Sequence, residues 1–300
     1  MPRNARAEVT LAEEGPRTPR QRRVAVGLTL AVVAVLGTAG YLGVRHLTDL
    51  VAREQCQVTA SGSTFDWAPD QASNAAAITA IAIQRGLPPR AASIAIATAM
   101  QESKVRNVGY GDRDSLGLFQ QRPSQGWGTE EQILDPEYST NKFFDALVLV
   151  ADYESMDIAD AAQEVQRSAD GAAYAQHEAK ARVTASVLSG QTPGGIGCAL
   201  KEPEAPGDTA ALAALVEKDF GLTPDVGDGV VTLRADDADT AWAVASWAVA
   251  RATDTGAIRV GVDQQQWDRS MTKDALKWQP VELAPAEDAP DPNLVVIHLT

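Results

Sequence analysis

Apolar positions along the chain change their period several times, and each change marks an element. The longest unbroken run is Val24 to Val44, 21 residues without a charge, bracketed by Arg23 and Arg45. At about 1.5 Å per residue it matches a hydrocarbon core of roughly 30 Å. The run predicts a transmembrane helix. A buried core helix and a cleaved signal peptide are the alternatives, and no small-residue cleavage site follows it.

After a juxtamembrane segment at 45–62 the helical period begins. Ala76, Ile78, Ile81, Ala82 and Ile83 fill a helix-length pattern over Gln71 to Arg85, closed by Gly86 where a C′ residue would sit. Pro88 and Pro89 open a second helix, because proline is tolerated in a first turn, and Ile94, Ala97 and Met100 carry it to Glu102. From Lys104 to Gly128 glycine, aspartate and aromatic residues predict a long shaped loop. Asp135 and Pro136 start a helix bearing Phe143, Phe144, Leu147 and Val148, and further helices are expected over Ile158 to Ser168 and Ala172 to Leu188. The stretch 63–198 therefore predicts a mainly α domain.

Pro203 and Pro206 among acidic residues mark a linker at 199–207, after which the pattern mixes both periods. Helices are expected at Thr209 to Phe220 and Asp237 to Ala252, with strands at Val230 to Leu233, Ile258 to Val262 and Leu294 to Leu299. That is a small α/β (α+β) unit over 208–300. Trp242, Trp247, Trp267 and Trp278 could form a sugar-stacking platform, but Ala241, Val244, Ala245 and Ala248 beside the first two favour core packing.

Charge sets the orientation. The first 23 residues hold six arginines against three glutamates and read as a disordered basic tail. Basic residues flanking a span stay in the cytoplasm, so the expected location is the cytoplasmic membrane, single pass, N-terminus inside and the bulk exported. The lipid bilayer is then a partner through 24–44. The net charge is −14, and with +3 in the tail the remainder carries −17, a field that disfavours nucleic acid as a partner. Cys56 and Cys198 are the two cysteines, and an even pair in an exported chain points to one disulfide, with two unrelated buried thiols as the alternative. Neither has a second thiol nearby, and His46, His177 and His298 are scattered, so neither metal nor cofactor is expected.

The stretch most informative about chemistry starts at Ala95 and reads AIATAMQESKVRNVGYGDRDSLGLFQQRPSQGWG. An apolar helix ending in Gln101, Glu102 and Ser103, followed about fifteen residues later by Gly117, Leu118, Phe119 and Gln120, resembles the catalytic core of soluble lytic transglycosylases and goose-type lysozymes. The resemblance covers roughly Ala76 to Gly190 and is specific over about thirty residues. It implies a lysozyme-like fold, Glu102 as catalytic acid, peptidoglycan glycan strands as partner, and a Gly-Leu-Met-Gln element across a cleft, with Phe119 in place of Met. The family's later Ala-Tyr-Asn element is missing, and the corresponding helix reads Ala162 to Ser168. Together these readings predict a transmembrane helix plus a mainly α lysozyme-like domain, then a small α/β (α+β) C-terminal domain.

Protonating a glycosidic oxygen needs an acid that keeps its proton near neutral pH, and apolar shielding favours that form; Met100, Tyr110 and Phe119 are the candidates to supply it. Ser103, Gln120, Gln121, Ser124 and Gln125 offer hydrogen bonds to sugar hydroxyl and acetamido groups, and Tyr110 and Trp127 offer faces to pyranose rings. Asp112 and Asp114 are the candidates for a second carboxylate, or else cap turns or pair with Arg113. Glu102 itself has the alternative of an ion pair with Lys104 or Arg106. Three functions remain open: cleavage of the β-1,4 bond between N-acetylmuramic acid and N-acetylglucosamine, a non-catalytic glycan-binding or scaffolding module, and an anchored interaction protein that reads its partner through 208–300.

Overall fold

The computed structural model describes residues 53–167, 172–281 and 291–300. The run Val24 to Val44 and the basic tail lie outside the described residues, and no helix among the described residues is long and apolar enough to cross a membrane. Arg53–Thr300 form one compact unit.

The segment expected to be juxtamembrane contains the first strand. Strand β1 (Gln55–Ala60) buries Cys56, Val58 and Ala60 in alternation. Ser61 and Gly62, at φ 50° and 76°, turn the chain into β2 (Ser63–Trp67); two left-handed residues in a two-residue loop match the twist of the strands they join. On the other side β1 pairs antiparallel with β3 (Ile196–Ala199), which sets Cys56 opposite Cys198, and the two are disulfide-bonded. Gly197 is required there, because a Cβ would stand 2.2 Å from the backbone of Leu276 in the 3-10 turn Lys273–Leu276.

Helices α1 (Pro69–Gln84) and α2 (Pro89–Ser103) each carry proline in the first turn. In α2 every residue from Ala91 to Ala99 is buried, so the helix is apolar on all sides and needs cover on all sides. The cover comes from α1, α4 (Pro136–Leu147), α5 (Ile158–Gln166) and α7 (Glu178–Leu188). Asp135 caps α4 by accepting the Glu137 N–H at 3.0 Å. Short α3 (Glu130–Ile133) precedes α4. The single helix expected over Ala172 to Leu188 is broken into α6 (Ala172–Ala175) and α7.

Helix α8 (Thr209–Phe220) is followed by a six-stranded sheet whose order is β4 (Asp225–Val226), β5 (Val230–Arg234), β9 (Leu294–His298), β6 (Arg259–Val262), β7 (Gln265–Asp268), β8 (Gln279–Pro280). All its pairings are antiparallel. Val231, Leu233, Val260, Val262, Trp267, Val295 and Ile297 are its buried residues. They alternate with the partly exposed face, and α9 (Ala238–Ala250) packs against β6 and β9; short α10 (Ala252–Thr255) follows. Helix α9 also packs on α1, α7 and β3, which explains why Ala241 to Ala250 are buried without exception. Gly190 allows this: a Cβ there would stand 1.8 Å from the Asp239 carbonyl oxygen.

These findings correct the expected fold class. In place of a mainly α domain followed by a small α/β domain, the described residues make a mixed α+β unit with two antiparallel sheets. The indoles follow the core reading: Trp242, Trp247 and Trp267 are buried and Trp278 is half-buried, with Trp247 Nε1 donating to Asp219 and Trp278 Nε1 to the Ile196 carbonyl.

Two predictions follow from this packing. The disulfide closes a separation of 142 residues, so Cys56→Ser with Cys198→Ser should destabilise the unit by up to about 5 kcal/mol in the chain-entropy model, read by urea denaturation. Asp219 is buried against Arg251 at 2.6 Å, and burial raises its pKa while Arg251 and Trp247 act to lower it. Asp219→Ala would leave the Trp247 indole N–H without its acceptor and the Arg251 guanidinium with only the longer 3.8 Å contact to Asp254, at an expected cost of about 3 kcal/mol in the same assay.

Candidate active site

Glu102 reaches the surface because α2 ends abruptly there. Lys104 and Val105 both adopt left-handed backbone, φ 57° and 56°. A β-branched residue seldom accepts that geometry, and two side chains of α1 hold it: Gln71 Nε2 donates to the Lys104 carbonyl at 2.7 Å and Asn74 Nδ2 to the Val105 carbonyl at 2.9 Å. The chain turns away, and Glu102 is left at the mouth of a groove of about 1000 Å³.

The element opposite is a tight turn closed by reciprocal backbone bonds between Leu116 and Gln121, at 2.9 and 3.0 Å. Gly117 lies at φ 76°, where a Cβ would stand 2.7 Å from the Ile133 carbonyl oxygen, and Gln120 is left-handed at φ 49°. Three side chains fasten this turn. Ser103 Oγ donates to the Leu118 carbonyl at 2.7 Å, Gln166 Nε2 to the Phe119 carbonyl at 2.8 Å, and Gln121 Nε2 to the Ser139 carbonyl at 2.9 Å. Phe119 is fully buried and stacks on Phe143 with centroids 4.6 Å apart.

Tyr174 on α6 is 1% exposed, and its hydroxyl donates to Glu102 Oε1 at 2.6 Å. Glu102 Oε2 makes no hydrogen bond among the described residues. The ion-pair alternatives for Glu102 do not form: Arg106 pairs with Asp70 at 2.7 Å, and Lys104 forms no ion pair among the described residues. Gln120, Gln125 and Trp127 line the groove with Glu102, together with Lys142, Glu164 and Arg167.

Other sequence candidates stand elsewhere. Tyr110 is 76% exposed and is not part of the groove lining, so it shields nothing; its carbonyl accepts from Gln120 Nε2 at 3.2 Å. Gln121 and Ser103 act as fasteners of the turn, with Gln121 buried. Asp112 has a side chain 94% exposed, 4.0 Å from Arg113. Asp114 clamps the loop, accepting from Arg122 Nε and from the Ser124 backbone N–H, each at 2.8 Å. The Ser124 N–H first, then the Ser124 hydroxyl and the Arg122 guanidinium, hold the Asp114 carboxyl well below the usual carboxylate range. Neither aspartate lines the groove; the carboxylates that do so beside Glu102 are Glu164 and Asp145, the latter paired with Arg85 at 2.9 Å.

Tyr174 and Glu164 are the residues that reading the sequence missed. Neither is marked by any local pattern, and Tyr174 lies 72 residues from the Glu102 that it meets. No protein-family model matches the chain, and no curated protein matches it.

A depressed carboxylate pKa gives stability that is present above the unfolded value, near 3.9, and lost as pH falls through the folded one. The Asp114 clamp should therefore hold from pH 7 to about 4. Hydrogen-exchange protection of the Ser124 amide is expected to stay constant over that range and to fall sharply in Asp114→Asn.

Proposed function

We propose that the groove cleaves the β-1,4 bond between N-acetylmuramic acid and N-acetylglucosamine in peptidoglycan, with Glu102 as the acid. The observation that carries this reading is the pairing of Glu102 with buried Tyr174, which fixes one carboxyl oxygen and leaves the other open to the groove. A proton from Glu102 goes to the glycosidic oxygen as the C1–O bond breaks, and the departing sugar takes it up as a hydroxyl. The resulting carboxylate then accepts the proton of the attacking hydroxyl as the new bond to C1 forms. If the attacker is the muramyl sugar's own hydroxyl, the product is an anhydro-sugar and no second carboxylate is needed; if it is water, Glu164 is the carboxylate within the groove that could assist.

Substrate contacts on this reading come from Gln120 and Gln125, which offer amides to acetamido and hydroxyl groups, and from the face of Trp127. Met100 is half-buried and remains the apolar neighbour of Glu102 in sequence. The Cys56–Cys198 disulfide supports an oxidising compartment outside the cytoplasm, where the wall polymer lies.

Glu102→Gln keeps shape but cannot deliver a proton, so glycan digestion by the purified protein should vanish while glycan binding persists. Tyr174→Phe removes the hydrogen bond that fixes Glu102 Oε1 and should lower turnover roughly 10-fold. Asp112→Asn and Asp114→Asn should cost far less than either. Mass spectrometry of the digest reads activity and mechanism together, and digestion by Glu102→Gln at the wild-type rate would overturn the assignment.

A further inference from the structure

The chain is strongly acidic, at −14 overall, yet the groove keeps unpaired positive charge. Its acids are largely engaged: Glu102 Oε1 by Tyr174, and Asp145 by Arg85 at 2.9 Å. Among its cations Arg122 is held by Asp114. Lys142 and Arg167 have no carboxylate partner among the described residues, and the Lys142 ammonium lies only against the Tyr138 ring, 5.6 Å from its centroid. Arg167 is exposed at the end of α5, where its left-handed backbone, φ 50°, closes the helix, and Lys142 is half-buried on α4. Both line the same groove as the proposed acid. Opposing them are two carboxyl groups without a cationic partner among the described residues, Glu164 and the proposed acid Glu102, which on the glycosidase reading carries its proton.

A neutral sugar chain has no use for two free cations, and in a protein of this charge general attraction of anions does not explain them. Resting on the glycosidase reading above, we infer that Lys142 and Arg167 recognise carboxylates borne by the glycan, namely those of the peptides attached to its muramyl lactyl groups. A guanidinium can take a carboxylate with two parallel hydrogen bonds, and an ammonium adds a point charge with three rotatable donors. The groove then prefers strands whose peptides carry free carboxylates over strands whose carboxylates have been converted to amides.

The test uses the full chain carrying Glu102→Gln, so that nothing turns over, and two soluble probes: one peptide-bearing glycan fragment and the same fragment with its peptide carboxylates amidated. Titration calorimetry at low salt should give about tenfold tighter binding of the free-carboxylate form, the scale of two partly exposed charge contacts, with the difference shrinking at high salt. Lys142→Gln and Arg167→Gln should each narrow the preference, and the double variant should abolish it while binding the amidated fragment as before. Equal affinity of the two fragments overturns the inference and leaves the glycosidase reading intact, and so does a double variant that still discriminates. Failure of both fragments to bind the Glu102→Gln chain overturns the glycan reading itself, and the inference with it.

Discussion

Complete burial of Ala91 to Ala99 in α2 is the constraint from which much of the molecule follows. A helix that is apolar all round cannot lie on a surface, so α1, α4, α5 and α7 must enclose it, and its residues from Ala91 to Ala99 are small enough to let them approach closely. The helix can then meet solvent only at an end. At its C-terminal end the left-handed pair Lys104–Val105 turns the backbone aside, and Glu102 is the ionisable group left facing the groove. The position of the proposed acid is thus a consequence of packing, held by hydrogen bonds from Gln71 and Asn74 on the neighbouring helix.

Helix α9 repeats the same logic for the other part of the unit. It has no polar face between Ala241 and Ala250, and it is covered by the six-stranded sheet on one side and by α1, α7 and β3 on the other. One buried helix therefore serves two neighbours, and residues expected to form separate domains share a core. The disulfide lies in the same region, joining β1 to the β3 strand on which α9 packs.

Charge in the groove is arranged differently from charge elsewhere on the described surface. Exposed pairs such as Arg259–Asp268 and Arg182–Glu178 satisfy each other within or between elements and contribute little to stability. Among the groove-lining residues, Arg122 clamps a loop through Asp114 and Asp145 is held by Arg85 from outside the lining, while Lys142, Arg167, Glu102 and Glu164 form no ion pair among the described residues. The groove so combines a carboxyl fixed on one side, amides, an indole and two cations free of ion pairs, a set that suits a polar chain bearing anions.

Local rules made much of the helical content legible. Prolines at 89 and 136, Asp135 and the apolar periods bounded α1, α2, α4 and α8 to within about two residues, because capping and proline chemistry act inside one turn. Glu102, Gln120 and Trp127 were legible for a related reason: they lie within one short, glycine-punctuated stretch. The strands at Gln55–Ala60, Ser63–Trp67 and Gln265–Asp268 were not, since each is only four to six residues long and gains its stability from partners far along the chain. Neither was the contact between Glu102 and Tyr174, which are 72 residues apart, nor the presence of Glu164, Lys142 and Arg167 in one groove. Sequence by itself determined the bounds of α1, α2, α4 and α8 and marked Glu102, Gln120 and Trp127 as residues able to do chemistry. Only the tertiary structure decided which of them meet, because long-range pairing and the covering of two all-apolar helices are set by the sum of many distant contacts and by no local pattern.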